Sequence, residues 1–156
     1  PVNITDWFPT VCDYMNVPIP EGLDGQNLRS LIETGTAGEH RDFAFSEYNC
    51  HGMPYGMFMI RWKQYKYIYY CYDKPQLFDL STDPAEDHSL LDVPVPAPES
   101  MIAAEECHKR LLSICNPYEV DLRARTFQKK SKEALGIQTY DTDMGSCPVP
   151  HPEAVL

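Results

Sequence analysis

Positive charge is scarce in this chain. Thirteen Lys and Arg stand against 23 Asp and Glu among 156 residues, a formal net charge of −10. That deficit disfavours nucleic acid or an anionic lipid surface as partner, because both need a cationic face. Five basic residues do gather at Arg123, Arg125, Lys129, Lys130 and Lys132; on a helix such a cluster reads as a solvated face rather than a binding patch. No window approaches the roughly 20 apolar residues that a membrane helix requires. The six cysteines contain no Cys-x-x-Cys pair, so a zinc site is unsupported, and a chain this long and aromatic needs no disulfides for its core. No Met stands first and no signal-like segment opens the chain, so its start is expected to be cut from something longer. The compartment cannot be read from the cysteines, and the Asn3-Ile4-Thr5 sequon matters only in a secreted eukaryotic parent.

What is present fits one domain, able to bury roughly 70% of its extended-chain surface. Asp6 can cap a helix that tolerates Pro9 in its first turn and carries Phe8, Val11, Cys12 and Met15 at helical spacing, with Asn16, Pro18 and Pro20 ending it. Gly22-Leu23-Asp24-Gly25 reads as a turn, and Leu28, Leu31 and Ile32 as the stripe of a short helix stopping near Gly35. At Phe43 the period changes from helical to two. Phe43–Tyr48, Met57–Trp62 and Tyr65–Tyr70 are aromatic, β-branched runs, the last two joined by Lys63-Gln64 as a hairpin, and Gln76–Leu80 supplies a fourth strand. Prolines at alternate positions from Pro94 to Pro98 predict an extended spacer. Two helices should follow and pack on the sheet. Ala103, Cys107, Leu111 and Ile114 mark the face of the first; Asn116, Pro117 and Glu119 start the second, whose buried side is expected at Val120, Ala124, Phe127 and Ala134. The predicted divisions are 1–35 helical, 43–80 antiparallel sheet and 99–135 a helix pair, together one region over 1–136, with an irregular tail over 137–156.

Three constellations invite chemistry. Asp87-His88 looks like a metal-binding pair, but it follows Asp83-Pro84-Ala85-Glu86, and a surface turn is the better reading. Tyr65, Tyr67, Tyr69, Tyr70 and Tyr72 could stack on a ligand, although cross-strand packing against Met57 and Met59 accounts for most of them. Arg61 and Lys66 are expected to meet acidic neighbours rather than bind sulfate. His51 is the strongest candidate. It lies in Tyr48-Asn49-Cys50-His51-Gly52, where a strand ends and a glycine-bearing loop begins. A histidine there can donate to an anionic oxygen or move a proton near neutral pH, or it can be a structural residue bonded to a carbonyl. Cys50 beside it reads better as a small thiol than as a metal ligand.

The ordered series Ser46-Glu47-Tyr48, Gly56-Met57-Phe58-Met59-Ile60-Arg61, Tyr65-Lys66-Tyr67-Ile68-Tyr69-Tyr70, Pro75-Gln76-Leu77-Phe78-Asp79-Leu80 and Asp83-Pro84-Ala85-Glu86 resembles the C-terminal part of type I sulfatases of the arylsulfatase and choline-sulfatase kind, in the alkaline-phosphatase-like superfamily. The likeness extends from Asn3 to about Gly136; Ser89-Leu90 departs from it where the family has Asn-Leu. It implies an α+β C-terminal subdomain, a small antiparallel sheet of three to four strands packed by helices, attached to an α/β parent. It further implies that the parent hydrolyses sulfate monoesters with a formylglycine nucleophile and calcium. None of the cysteines here stands in the family's Cys-x-Pro-x-Arg context, and no clustered acids could hold the cation, so this chain alone is expected to be inactive, with no catalytic residue and no metal. It would wall the cleft through substrate contacts at His51, Gly52, Tyr48 and Cys50, and could support a homo-oligomer. Two other readings stay open: a stand-alone binding or assembly module using the aromatic hairpin, and a fragment of a phosphate or phosphonate ester hydrolase.

Overall fold

Alternation becomes pairing between Phe43 and Asp79. In the computed structural model, which describes residues 1–36, 40–50 and 53–136, four strands lie side by side in chain order: β1 (Phe43–Tyr48), β2 (Met57–Trp62), β3 (Tyr65–Tyr70) and β4 (Gln76–Asp79). Every neighbouring pair is antiparallel. The period-two pattern therefore sorts side chains onto two faces. Phe58, Ile60 and Trp62 of β2, Tyr67 and Tyr69 of β3 and Leu77 of β4 are buried on one of them. The β2–β3 turn at Lys63-Gln64 places Lys63 at φ 49°, in the left-handed region a tight reversal demands.

Helix α3 (Pro98–Ile114) closes that face with Ala103, Cys107 and Leu111, at the spacing of one helical stripe. Each of the wholly buried Phe58, Ile60, Leu77 and Leu111 side chains contributes on the order of 1.5–3 kcal/mol by leaving water. Ile114, expected on the same face, is exposed because the helix ends there. Helix α4 (Pro117–Ala134) starts as its residues dictate: the Asn116 side chain accepts the Tyr118 amide at 3.1 Å, and Pro117 occupies a position that needs no donor. Glu119 accepts from the Asn116 side-chain amide rather than from its backbone.

Several expectations change. Register pairs Met57 with Tyr70 and Met59 with Ile68, so the inward tyrosines Tyr67 and Tyr69 lie opposite Ile60 and Phe58, not the methionines. Because both are buried, that face of the aromatic hairpin is no open contact surface. Only Pro117, Val120 and Asp121 of α4 are buried, while Phe127 is 72% exposed, so the helix does not lie on the body along a whole apolar side. In the opening segment, α1 (Trp7–Tyr14) buries Pro9, Thr10 and Cys12, whereas Phe8, Val11 and Met15 remain exposed. Asp6 makes no side-chain cap for α1. Its buried carboxylate instead accepts the Asn3 amide at 2.7 Å and the Gln26 amide at 2.9 Å, and pairs with Arg41. Burial raises the Asp6 pKa, but these bonds outweigh it and hold the carboxyl below its usual range. Gly25 allows this closure, since a Cβ there would lie 2.1 Å from the Thr5 carbonyl oxygen. After α2 (Arg29–Thr34), Asn3 ties the segment to the sheet by accepting the Phe45 amide at 2.9 Å.

Candidate functional site

β1 and β2 are in register to their very ends, Tyr48 opposite Met57, and the chain between them makes the loop of residues 49–56. His51 and Gly52 lie outside the described residues; Tyr48 and Cys50 lie within them. Tyr48 sits on the sheet face opposite α3, and Cys50 is exposed. Desolvation and a hydrogen bond with Cys50 raise the Tyr48 phenol above its ordinary range, so the phenol stays protonated near neutrality. The Met53 amide donates to the Cys50 carbonyl at 3.3 Å, folding the loop back on itself.

The far end of the loop is anchored more firmly. Gly56 is buried; its carbonyl accepts the Cys71 amide at 3.0 Å and its amide donates to Asp121 Oδ1 at 2.6 Å. A Cβ at Gly56 would lie 2.7 Å from Asn49 Oδ1 and 3.2 Å from Asp121 Oδ1, so only glycine lets the two ends of the loop and the helix approach this closely. The second Asp121 oxygen holds Arg125 Nε at 2.8 Å. Arg125 also donates to the Pro54 carbonyl and lies 5.7 Å from the Tyr55 ring centre, while the Gln128 side chain donates to the Asn49 carbonyl. Arg125 is thus no member of a purely solvated basic face.

From the loop an aromatic series runs into the core. Tyr55 meets Tyr72 edge-on at 5.4 Å, Tyr72 meets Tyr118 at 5.3 Å, and Tyr69 Oη donates to Tyr118 Oη at 2.9 Å. Burial pushes the Tyr67 and Tyr69 phenols up, pushes the Cys71 thiol up to about 12 and the Cys107 thiol up to about 11, and lowers His108. All of these are neutral at pH 7, and none is an activated nucleophile.

Among the described residues no three of His, Cys, Asp or Glu come together as a metal ion would need. Asp83 accepts the Asp87 and His88 amides at 3.1 and 2.9 Å, which makes that segment a capped surface turn. Lys66 meets Glu86 at 2.5 Å as an ion pair; Arg61 finds no acid but the Lys63 and Tyr65 carbonyls. Asp121, Arg125 and Gln128 escaped the sequence reading. Their i, i+4, i+7 spacing was visible, but their partners stand 65 to 79 positions away.

Residues 2–114 match the family described as N-sulphoglucosamine sulphohydrolase, C-terminal. Arylsulfatase K of Gallus gallus is 32% identical over 152 residues, covering 89% of this chain and 27% of that protein. A phosphonate monoester hydrolase of Agrobacterium radiobacter has a TM-score of 0.55 at 25% identity, over 69% of this chain and 23% of its own. A 2-O GAG sulfatase has a TM-score of 0.57 at 24% identity, over 80% and 26%, a likeness of fold. The chain spans about a quarter of the length of these relatives.

Proposed function

Because this chain belongs to the N-sulphoglucosamine sulphohydrolase C-terminal family, we propose that it serves a sulfate-monoester hydrolase as the wall of the substrate cleft, with the chemistry performed by the rest of the parent. The observation that carries this reading is an uncovered apolar face. Trp7, Phe8 and Met15 of the opening helical segment are 68%, 53% and 68% exposed, and large apolar side chains left this open mark a surface for another body to cover. The opposite side of the sheet, with Met57, Met59, Ile68 and Tyr70, is likewise only half buried.

Tyr48 at the end of β1 and Cys50, His51 and Gly52 after it are the substrate contacts of the proposal, with His51 donating to a substrate oxygen and Tyr48 and Cys50 offering hydrogen-bond donors. In the parent, calcium and a formylglycine nucleophile would supply the electrophilic activation and the attack on sulfur. A second reading, cleavage of a phosphonate or phosphate ester, is favoured by the likeness to the phosphonate monoester hydrolase. Side-by-side turnover of an aryl sulfate and an aryl phosphonate by the full-length protein separates the two.

The test of the site is His51→Ala in the full-length protein. The expected result is a lower kcat/KM with an unchanged unfolding midpoint. A large loss of stability at unchanged kcat/KM would make His51 structural. Turnover of an aryl sulfate by the 156-residue chain alone, with calcium present, would refute the division of labour.

A further inference from the structure

Three side chains on one stripe of α4 bind three backbone groups of one loop. Asp121 takes the Gly56 amide, Arg125 the Pro54 carbonyl and Gln128 the Asn49 carbonyl, so the segment is held at its first residue, its last and one between. These are polar bonds to main-chain atoms, made by a helix that buries little apolar surface beyond its first turn. An apolar face would hold the helix to the body whatever the loop did. A set of directional bonds to the backbone instead specifies where the loop lies, because each requires its donor and acceptor within hydrogen-bond reach. Asp121 is 2% exposed, and a carboxylate is kept in such a place only when its oxygens are taken; here the Gly56 amide and the Arg125 guanidinium take one each.

We propose that Asp121, Arg125 and Gln128 are positioning residues that hold Asn49, Pro54 and Gly56 of the 49–56 loop in place for substrate binding by the parent enzyme. This rests on the reading of that loop as the substrate-contacting wall. Their effect falls on binding geometry, since a contact displaced by an ångström loses its hydrogen bond without altering the reacting groups.

The experiment uses Gln128→Ala and Arg125→Lys in the full-length enzyme. Both side chains are partly exposed, so the fold should survive either change, and Lys cannot reproduce the fork that spans Asp121 and Pro54. Amide hydrogen exchange is followed over 49–56, and KM and kcat are measured with an aryl sulfate. The expected result is faster exchange confined to 49–56 and a KM raised about fivefold, the factor of one ordinary hydrogen bond, with kcat and Tm little changed. An unchanged KM in both variants overturns the proposal whatever the exchange or Tm shows, and so does a raised KM without faster exchange in the loop. His51→Ala separates this from the reading beneath it. If His51→Ala is silent while Gln128→Ala raises KM and loosens the loop, the clamp stands and His51 is not a contact; if His51→Ala alone impairs turnover, the clamp is what fails.

Discussion

Replacing Asp121 by Ala and by Asn should give unequal losses of stability, and the inequality identifies which of its two bonds matters. The Ala side chain leaves the buried Gly56 amide without its acceptor at 2.6 Å, a penalty of about 1–3 kcal/mol. It also ends the ion pair with Arg125, whose side chain is 42% exposed and can return to water; that term is about 1 kcal/mol or less. The sum is roughly 1–4 kcal/mol for Asp121→Ala. Asp121→Asn keeps an oxygen for the Gly56 amide and gives up only the charge opposite Arg125, so its cost should stay below about 1 kcal/mol. Equilibrium urea unfolding measures both: the midpoint should fall two to three times further for Ala at an unchanged slope, since the surface exposed on unfolding is the same. Equal losses would mean that the Arg125 charge pair, not the Gly56 amide, is what the buried carboxylate serves. A loss under about 0.5 kcal/mol for Ala would mean that water replaces the carboxylate, and the account of a dry anchor would be wrong.

His108 lies with Nδ1 3.3 Å from the Tyr67 hydroxyl and its ring 5.1 Å from that of Tyr69, and burial lowers its pKa from the ordinary 6.5. The unfolded chain therefore binds the proton first, so the stability due to neutral His108 is complete above pH 6.5 and is lost as pH falls below that value toward the folded pKa; urea midpoints should decline there in the natural protein and less in His108→Gln, and parallel pH profiles would refute this. Thiol alkylation at neutral pH should modify exposed Cys50 while sparing buried Cys71 and Cys107 until denaturant is added, as peptide mass mapping would reveal; early modification of Cys71 would contradict its burial. Leu111→Ala, at the wholly buried centre of α3, should cost about 2–5 kcal/mol in the same unfolding assay, and a cost under 1 kcal/mol would mean that α3 does not close the core.

The strands were legible because a sheet with one face against a helix imposes a period of two, and Phe58, Ile60, Trp62, Tyr67 and Tyr69 obey it. Asn116-Pro117 announced the start of α4 for an equally local reason: capping and proline geometry act within one turn. Phe127 and Phe8 misled, because helical spacing reports that a face is apolar but not whether this chain supplies its cover. Of the candidate site, Tyr48 stands at the end of β1 and Cys50 two residues beyond it, and His51 and Gly52 lie outside the described residues. The residues that brace the loop were not found.

Local chemistry, read along the chain, determined the four antiparallel strands, the starts of the long helices and the likeness to sulfatase C-terminal regions, since each depends on neighbours a few positions apart. Only the tertiary structure decided that Asp121 meets Gly56 across 65 positions and that Asp6 ties Gln26 and Arg41 rather than capping its own helix. Those bonds follow from how α3, α4 and the opening segment settle on the sheet, and a short polar side chain carries no periodic signal of the backbone group it will reach.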